Sequence, residues 1–448
     1  MSRLLLRNFR ERPDVAVSAS GLRIRSADGR EVIDGSGGAA VACLGHAHPV
    51  VLEAIRKQIE TVCYVHTGFY VGEPVEALAE QLVGHEPGGL THAYFVSSGS
   101  EGVEAALKLA RQYALETGQP RREHVIGRRQ SYHGNTLGAL GAGGNQVRRP
   151  PYAPILPGAS SHVSPCYPYR EQRTDEDAAA YVQRLANELE AEFQRVGPDR
   201  VMAFIAEPVV GATLGCQPAL PGYFRAVREI CDRHGALLIL DEVMCGLGRT
   251  GTLHAWEQEG VAPDIQVIAK GLGGGYQPIG GILVAGRIIA AIEAGSGLHR
   301  HGHTYAAHPV ACAAALAVQQ VIRDENLVEQ VAIRGRQLEQ ALKRRLGQHP
   351  HVGDIRGRGL FWAMELVEDR ETKRPFAPGI GMNGRVKLAT FARGLACYPV
   401  GGTIDGVRGD HVLLAPPYIA TEADIEAIVE LMAAGIDDAV RALPRPSK

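Results

Sequence analysis

The chain alternates between two patterns of hydrophobic and polar positions. Short apolar runs such as Val201-Met-Ala-Phe-Ile-Ala206, Ala236-Leu-Leu-Ile-Leu240 and Ile265-Gln-Val-Ile-Ala269 predict strands buried on both faces of a parallel sheet. Pro49–Thr61, Glu101–Arg111, Ala178–Val196 and the small-residue stretch from His308 to about Ile322 carry the spacing of amphipathic or buried helices. Tyr94-Phe-Val96 and His124-Val-Ile-Gly127 add two more strands. Leu22–Ile33 reads as a hairpin turning at Asp28-Gly29. Beyond residue 311 helices alternate with short strands, Gly359–Glu365 and Val412–Ala415, as in a small α/β unit.

Composition narrows the classes. The 448 residues are 45% hydrophobic, with 54 glycines and a formal net charge of −2. That is too apolar for a disordered chain, and the charge gives no reason to expect nucleic acid or an anionic membrane as partner. No apolar run reaches the roughly 18 residues of a membrane span. Met1–Arg10 is basic with three leucines and too short in its apolar part for a secretory signal. It is expected to pack on the body of the protein or on a partner subunit. The eight cysteines at 43, 63, 166, 216, 231, 245, 312 and 397 contain no Cys-x-x-Cys pair, which predicts buried thiols in a reducing cytoplasm rather than disulfides or zinc. His46 and His48 in Gly45-His-Ala-His-Pro49 have no acidic or cysteine partner at ligand spacing, so a turn-packing role is expected of them.

The chemistry begins where the run Ile265–Ala269 ends on Lys270, followed by Gly271, Gly273, Gly274 and Gly275. A lysine at the mouth of a buried strand is costly unless it reaches water, meets a partner or is used covalently. A surface lysine beside a flexible turn is one reading. A Schiff-base lysine with an amine pKa lowered by its surroundings is the sharper one. A P-loop is excluded by order, because here the glycines follow the lysine. Upstream by 29 positions, the run Ala236–Leu240 ends on Asp241-Glu242-Val243. Parallel strands would bring Asp241 and Lys270 to the same carboxyl edge, where open α/β sheets bind ligands. A carboxylate and an amine there suit pyridoxal phosphate: the amine holds the aldehyde and the carboxylate keeps the ring nitrogen protonated.

With Asp241-Glu-Val-Met-Cys-Gly-Leu-Gly-Arg-Thr-Gly251 and Ile268-Ala-Lys-Gly-Leu-Gly-Gly-Gly275, the chain resembles the class III, omega-type aminotransferases over nearly its whole length, and in motif detail the amine:pyruvate type. The resemblance implies fold type I: a large, mostly parallel-sheet α/β domain with helices on both faces and a smaller α/β domain. Its expected division is 1–47 as an N-terminal segment joining the small domain, 48–310 as the cofactor domain and 311–448 as the small domain. The resemblance also implies pyridoxal 5'-phosphate as cofactor, with Lys270 and Asp241 catalytic. Ser98, Gly99 and Ser100 would form the phosphate cup; a serine N-cap is the plain alternative for that turn. Tyr132 would lie on one face of the ring with His133 beside it, and Val243 on the other. Glu207 would stand behind the ring near Asp241. Thr304 would reach a partner's phosphate in a homodimer or dimer of dimers. The proline-rich stretch 143–175 reads as a linker by composition, and as an ordered surface loop by resemblance.

Departures from the family pattern bear on substrate. Many relatives gate an arginine with a glutamate; Ala212 stands at the glutamate position, and an apolar residue of Asp410–Pro417 at the arginine position. Met244 replaces a polar glutamine of the dialkylglycine-decarboxylase type. Arg408 is then the candidate for reading a substrate carboxylate. Phe69 and Tyr70 are candidates for lining the pocket, and Ala39 for widening it. The expected activity moves an amino group from an amine or omega- or beta-amino donor to a 2-oxo acid such as pyruvate. An isomerase, mutase or decarboxylase on the same scaffold is the alternative within the chemistry, and an inactive regulator or structural dimer the alternative outside it.

Overall fold

The computed structural model describes residues 3–443. At its centre a seven-stranded sheet runs in the order Leu90–Val96, Gly280–Ala285, Ile265–Ala269, Leu237–Asp241, Val201–Ala206, His124–Arg128 and Ser160–Val163. The last five pair in parallel. Gly280–Ala285 is antiparallel to both its neighbours. Asp241 sits opposite Val267, so the strands ending in Asp241 and Ala269 finish at one edge, as their sequences predict.

Alternate residues of each strand feed opposite faces. Leu238 and Leu240, with Phe204 and Ala206, pack against the helices Ala178–Val196 and Tyr223–His234. Leu237, Ile239, Ile265 and Val267 pack under the helix Gly99–Glu116. The central strands are therefore apolar on both faces. Truncating one such leucine to alanine costs about 2–5 kcal/mol.

At the N-terminus Ala16–Ser20, Arg23–Ser26 and Glu31–Asp34 form an antiparallel ribbon, and Leu395–Ala396 adds a parallel strand to it. Leu22 and Ile33 join the core of the C-terminal part. There a four-stranded antiparallel sheet orders Val352–Arg358, Phe361–Leu366, Asp410–Leu414 and Tyr398–Gly401, covered by the helices Leu327–Leu346, Met382–Ala392 and Glu422–Arg441.

Several details go beyond the sequence pattern. The proline-rich stretch contains a sheet-edge strand, Ser160–Val163, and its Arg170 pairs with buried Glu365 at 2.7 Å. That pair ties the stretch to the C-terminal sheet, which a linker would not require. Leu4, Leu5 and Phe9 remain exposed, so the leading segment does not bury these side chains on its own chain; Met1 and Ser2 lie outside the described residues. Cys63 is exposed and Cys397 half-buried, against the expectation of buried thiols, while the other six are buried. No helix among the described residues is long and apolar enough to cross a membrane.

Candidate active site

The strands converge on a cleft of about 370 Å³ at the carboxyl edge of the sheet. Lys270, Asp241, Glu207, Tyr132, His133, Val243 and the Ser98-Gly99-Ser100 turn all line it. Lys270 follows directly on the strand Ile265–Ala269 and adopts a left-handed backbone (φ 47°). Its carbonyl accepts the N–H groups of Gly273 and Gly274 at 3.2 and 2.9 Å, which hold the turn. A non-glycine residue in that region is strained; here the turn fixes it at the mouth of the cleft. The Lys270 amine makes no ion pair or hydrogen bond with another described residue. Burial lowers its pKa from 10.5 to about 8, against the raising influence of Asp241, Glu207 and Cys245.

Asp241 ends the neighbouring strand fully enclosed. Its Oδ2 lies 2.7 Å from Nδ1 of His133, and its Oδ1 accepts the Val243 N–H at 3.0 Å. Glu207 follows the next strand, where burial and the nearby Asp241 charge push its carboxyl up to about 7 against the pull of His133 and Arg128. Glu207 Oε2 and His133 Nε2 are buried with no partner among the described residues. The following residue, Glu242, points elsewhere: it accepts the N–H groups of Ala255 and Trp256 at 2.8 and 2.7 Å, anchoring the loop between the two strands.

The turn before the helix Gly99–Glu116 supplies the other pole. Ser98 Oγ accepts the Glu101 N–H at 3.2 Å, so this hydroxyl serves as the N-cap, the plain alternative for that turn. The Gly99 and Ser100 N–H groups occupy the first helical positions, where no intrahelical acceptor exists and the dipole favours an anion. A Cβ on Gly99 would meet Val243 at 3.0 Å, and one on Gly134 would come within 2.5 Å of Ser100 Oγ. Both glycines let the walls close on the cup. Ser100 Oγ also accepts the Asn135 N–H at 3.1 Å, tying the Tyr132 loop to the turn.

The donor set fits pyridoxal phosphate. Orphaned buried polar atoms, a helix start suited to an anion, a carboxylate and an unpaired amine line one cleft.

The substrate candidates, and Thr304 of the expected phosphate site, are placed differently. Phe69 and Tyr70 are 82% and 69% exposed, and Thr304 lies in an exposed turn where its carbonyl accepts Tyr64 Oη at 3.0 Å. Arg408 is an exposed side chain paired with Asp405 at 2.7 Å. Ala39 is half-buried in a distorted turn. None of the five lines the lysine cleft of its own chain. Cleft residues that sequence reasoning did not single out include Val41, Gln277 and Ile279. Their signal is weak, apart from the Gly-rich turn that carries the chain from Lys270 to Gln277. The His133–Asp241 contact was also not foreseen, though both residues were named.

Sheet order, lysine and helix-start cup together are those of an α/β enzyme of the pyridoxal phosphate class. The chain matches the family model of aminotransferase class-III over residues 8–436, and it belongs to that family, whose members depend on pyridoxal phosphate. It is 50% identical over 433 residues to an uncharacterized aminotransferase of Schizosaccharomyces pombe, a match covering 97% of this chain and 94% of that one. A taurine–pyruvate aminotransferase of Bilophila wadsworthia is 36% identical over 439 residues, covering 95% and 92%. The crystal structure of an amine transaminase from an uncultivated Pseudomonas species, in its pyridoxal phosphate-bound form, matches with a TM-score of 0.91 at 34% identity over 97% of each chain.

Proposed function

We propose that this aminotransferase moves nitrogen from a primary amine or an omega- or beta-amino donor to a 2-oxo acid such as pyruvate, with Lys270 and Asp241 as its catalytic pair. The observation that carries the reading is the unpaired Lys270 amine, lowered to about 8 beside Asp241. When bound, the cofactor supplies a reactive aldehyde and a ring that takes up charge released at the substrate carbon. Asp241, held by His133 and the Val243 N–H, would keep a proton on the ring nitrogen. Gly99 and Ser100 N–H groups would bind the phosphate. Tyr132 and Val243 would close on the two ring faces. Burial lowers the Lys270 amine, so it would take a proton from the substrate carbon and return it to the neighbouring position. Glu207, raised to about 7, would offer a hydrogen bond near the ring.

The active form on this reading is at least a homodimer, with Thr304 serving the partner's site. Support comes from the exposed apolar side chains of Phe69, Tyr70, Val71 and Tyr305, with Tyr64 packed edge-on against Tyr305 at 5.8 Å. The relative that pairs taurine with pyruvate supports an acid acceptor.

The test is spectroscopic. The yellow holoenzyme should bleach on adding an amine donor and regain its colour with pyruvate. Unchanged absorbance across alkyl amines, aryl amines, diamines and beta-amino acids would refute transamination.

A further inference from the structure

Tyr132 lines two cavities: the lysine cleft and a second space of about 330 Å³. Into that second space come Arg7, from the N-terminal segment, and Arg148, from the loop beyond the helix Leu137–Ala142, with Asn145, Asn383 and Tyr398. Two arginines and no carboxylate are among its described lining residues. Ala212 forms part of the wall, at the position where a gating glutamate would have answered them.

Arg148 is placed to act. Its guanidinium lies over the Tyr132 ring, 5.1 Å from the centroid, and forms no ion pair or hydrogen bond with another described residue. The adjacent Arg149 is fully engaged by contrast, donating to the carbonyls of Leu140, Gly141 and Gly143 at 2.8, 2.5 and 2.7 Å. Arg408, the arginine suggested by sequence, is held by Asp405 and lines neither cavity. A half-buried guanidinium stacked on an aromatic ring keeps its edge free, and that edge is the part that grips a carboxylate with two parallel hydrogen bonds.

We propose that this second cavity is the subsite for the carboxylate of the 2-oxo acid, held by Arg148 with Arg7 as a second cation. The inference rests on the transamination proposed above and names the group that reads the acceptor. The carbonyl, one bond from the carboxylate, would then lie at the rim that the two cavities share at Tyr132. An uncharged amine donor leaves Arg148 resting on the ring.

The experiment follows single half-reactions of the holoenzyme. Wild type, Arg148→Ala and Arg148→Met are each converted to the pyridoxamine form. They are then mixed with the oxo acid that wild type uses best, pyruvate or 2-oxoglutarate, and separately with butanal, which lacks a carboxylate. Arg148→Met keeps the stem packed on Tyr132 and removes only the charge. Both variants should raise the apparent KM for the oxo acid about ten- to a hundred-fold with little change in kcat, while butanal changes less than about threefold. Arg148→Lys should recover part of the loss. An unchanged oxo-acid KM in both charge-removing variants overturns the proposal, as does an equal loss with butanal. A wild type that no amine can bleach refutes transamination itself, a separate outcome read before any variant is made.

Discussion

Replacing Lys270 with methionine should make the cofactor-free protein more stable while abolishing turnover. Burial lowers the Lys270 amine from 10.5 to about 8. At about 1.4 kcal/mol per pKa unit, holding that amine charged in the folded protein at neutral pH costs about 3 kcal/mol. Water in the open cleft screens part of this and leaves about 2 kcal/mol. Methionine fills a similar volume with no charge to desolvate. The change also takes a positive charge away from Asp241, but that carboxylate keeps His133 at 2.7 Å and the Val243 N–H at 3.0 Å. The expected net gain is about 1–2 kcal/mol at pH 7.

The pH dependence gives the sharper check. Between about 8 and 10.5 the unfolded lysine binds a proton that the folded one has lost, so wild-type stability rises with pH through that window. The penalty is complete below pH 8 and gone above 10.5. Lys270→Met lacks this contribution, so its advantage should shrink as pH rises, other groups being common to both proteins. Urea unfolding of both cofactor-free proteins at pH 7 and pH 10, at equal protomer concentration, measures the difference. A wild type as stable as the variant at pH 7, or a gap independent of pH, would refute the reasoning.

Asp241→Asn keeps the size of the group and loses its charge, and should slow both half-reactions by about a hundredfold or more; stopped-flow absorbance measures the rates, and an unchanged rate would assign the ring proton to another group. Gly134→Ala places a Cβ 2.5 Å from Ser100 Oγ at a backbone φ of 130°, so it should weaken cofactor binding in equilibrium dialysis and lower stability by about 1–3 kcal/mol. Arg408→Ala should leave the oxo-acid KM within about twofold, because an exposed arginine paired with Asp405 contributes little. A tenfold rise in a steady-state assay would return Arg408 to the substrate site.

What could be read from sequence was local and periodic. The helix Pro49–Thr61 has the bounds its pattern predicts, and the catalytic candidates stand out because each is a charge at the end of an apolar run. Strand direction is not written in that way: Gly280–Ala285 is as apolar as its neighbours yet runs antiparallel. Ser160–Val163 is short, largely polar and held at an edge by one parallel partner, so no pattern announces it. Side-chain pairing was the other blind spot. Arg408 is the sequence candidate for a substrate carboxylate, but the structure gives it to Asp405, three residues before it. Arg148, in a stretch with no periodicity, becomes notable only when folding sets it on Tyr132.

The buried charges explain why this cleft suits a molecule with a positive ring and a negative tail. Asp241 is close enough to raise the cost of charging Glu207, since two buried carboxylates do not both ionise cheaply. Hydrogen bonding decides between them. Asp241 has the His133 contact and the Val243 N–H, whereas Glu207 Oε2 has no partner and its carboxyl is raised to about 7. Burial and the Asp241 charge thus favour the protonated form of Glu207, raised to about 7. The helix Gly99–Glu116 starts at the same cleft, with its unpaired N–H groups. A cation at Asp241 and an anion at the helix start are each favoured where they fall, and reversing such a ligand would set like against like at both ends. On the proposed assignment, Asp241 and the helix start would together set the orientation of the ring.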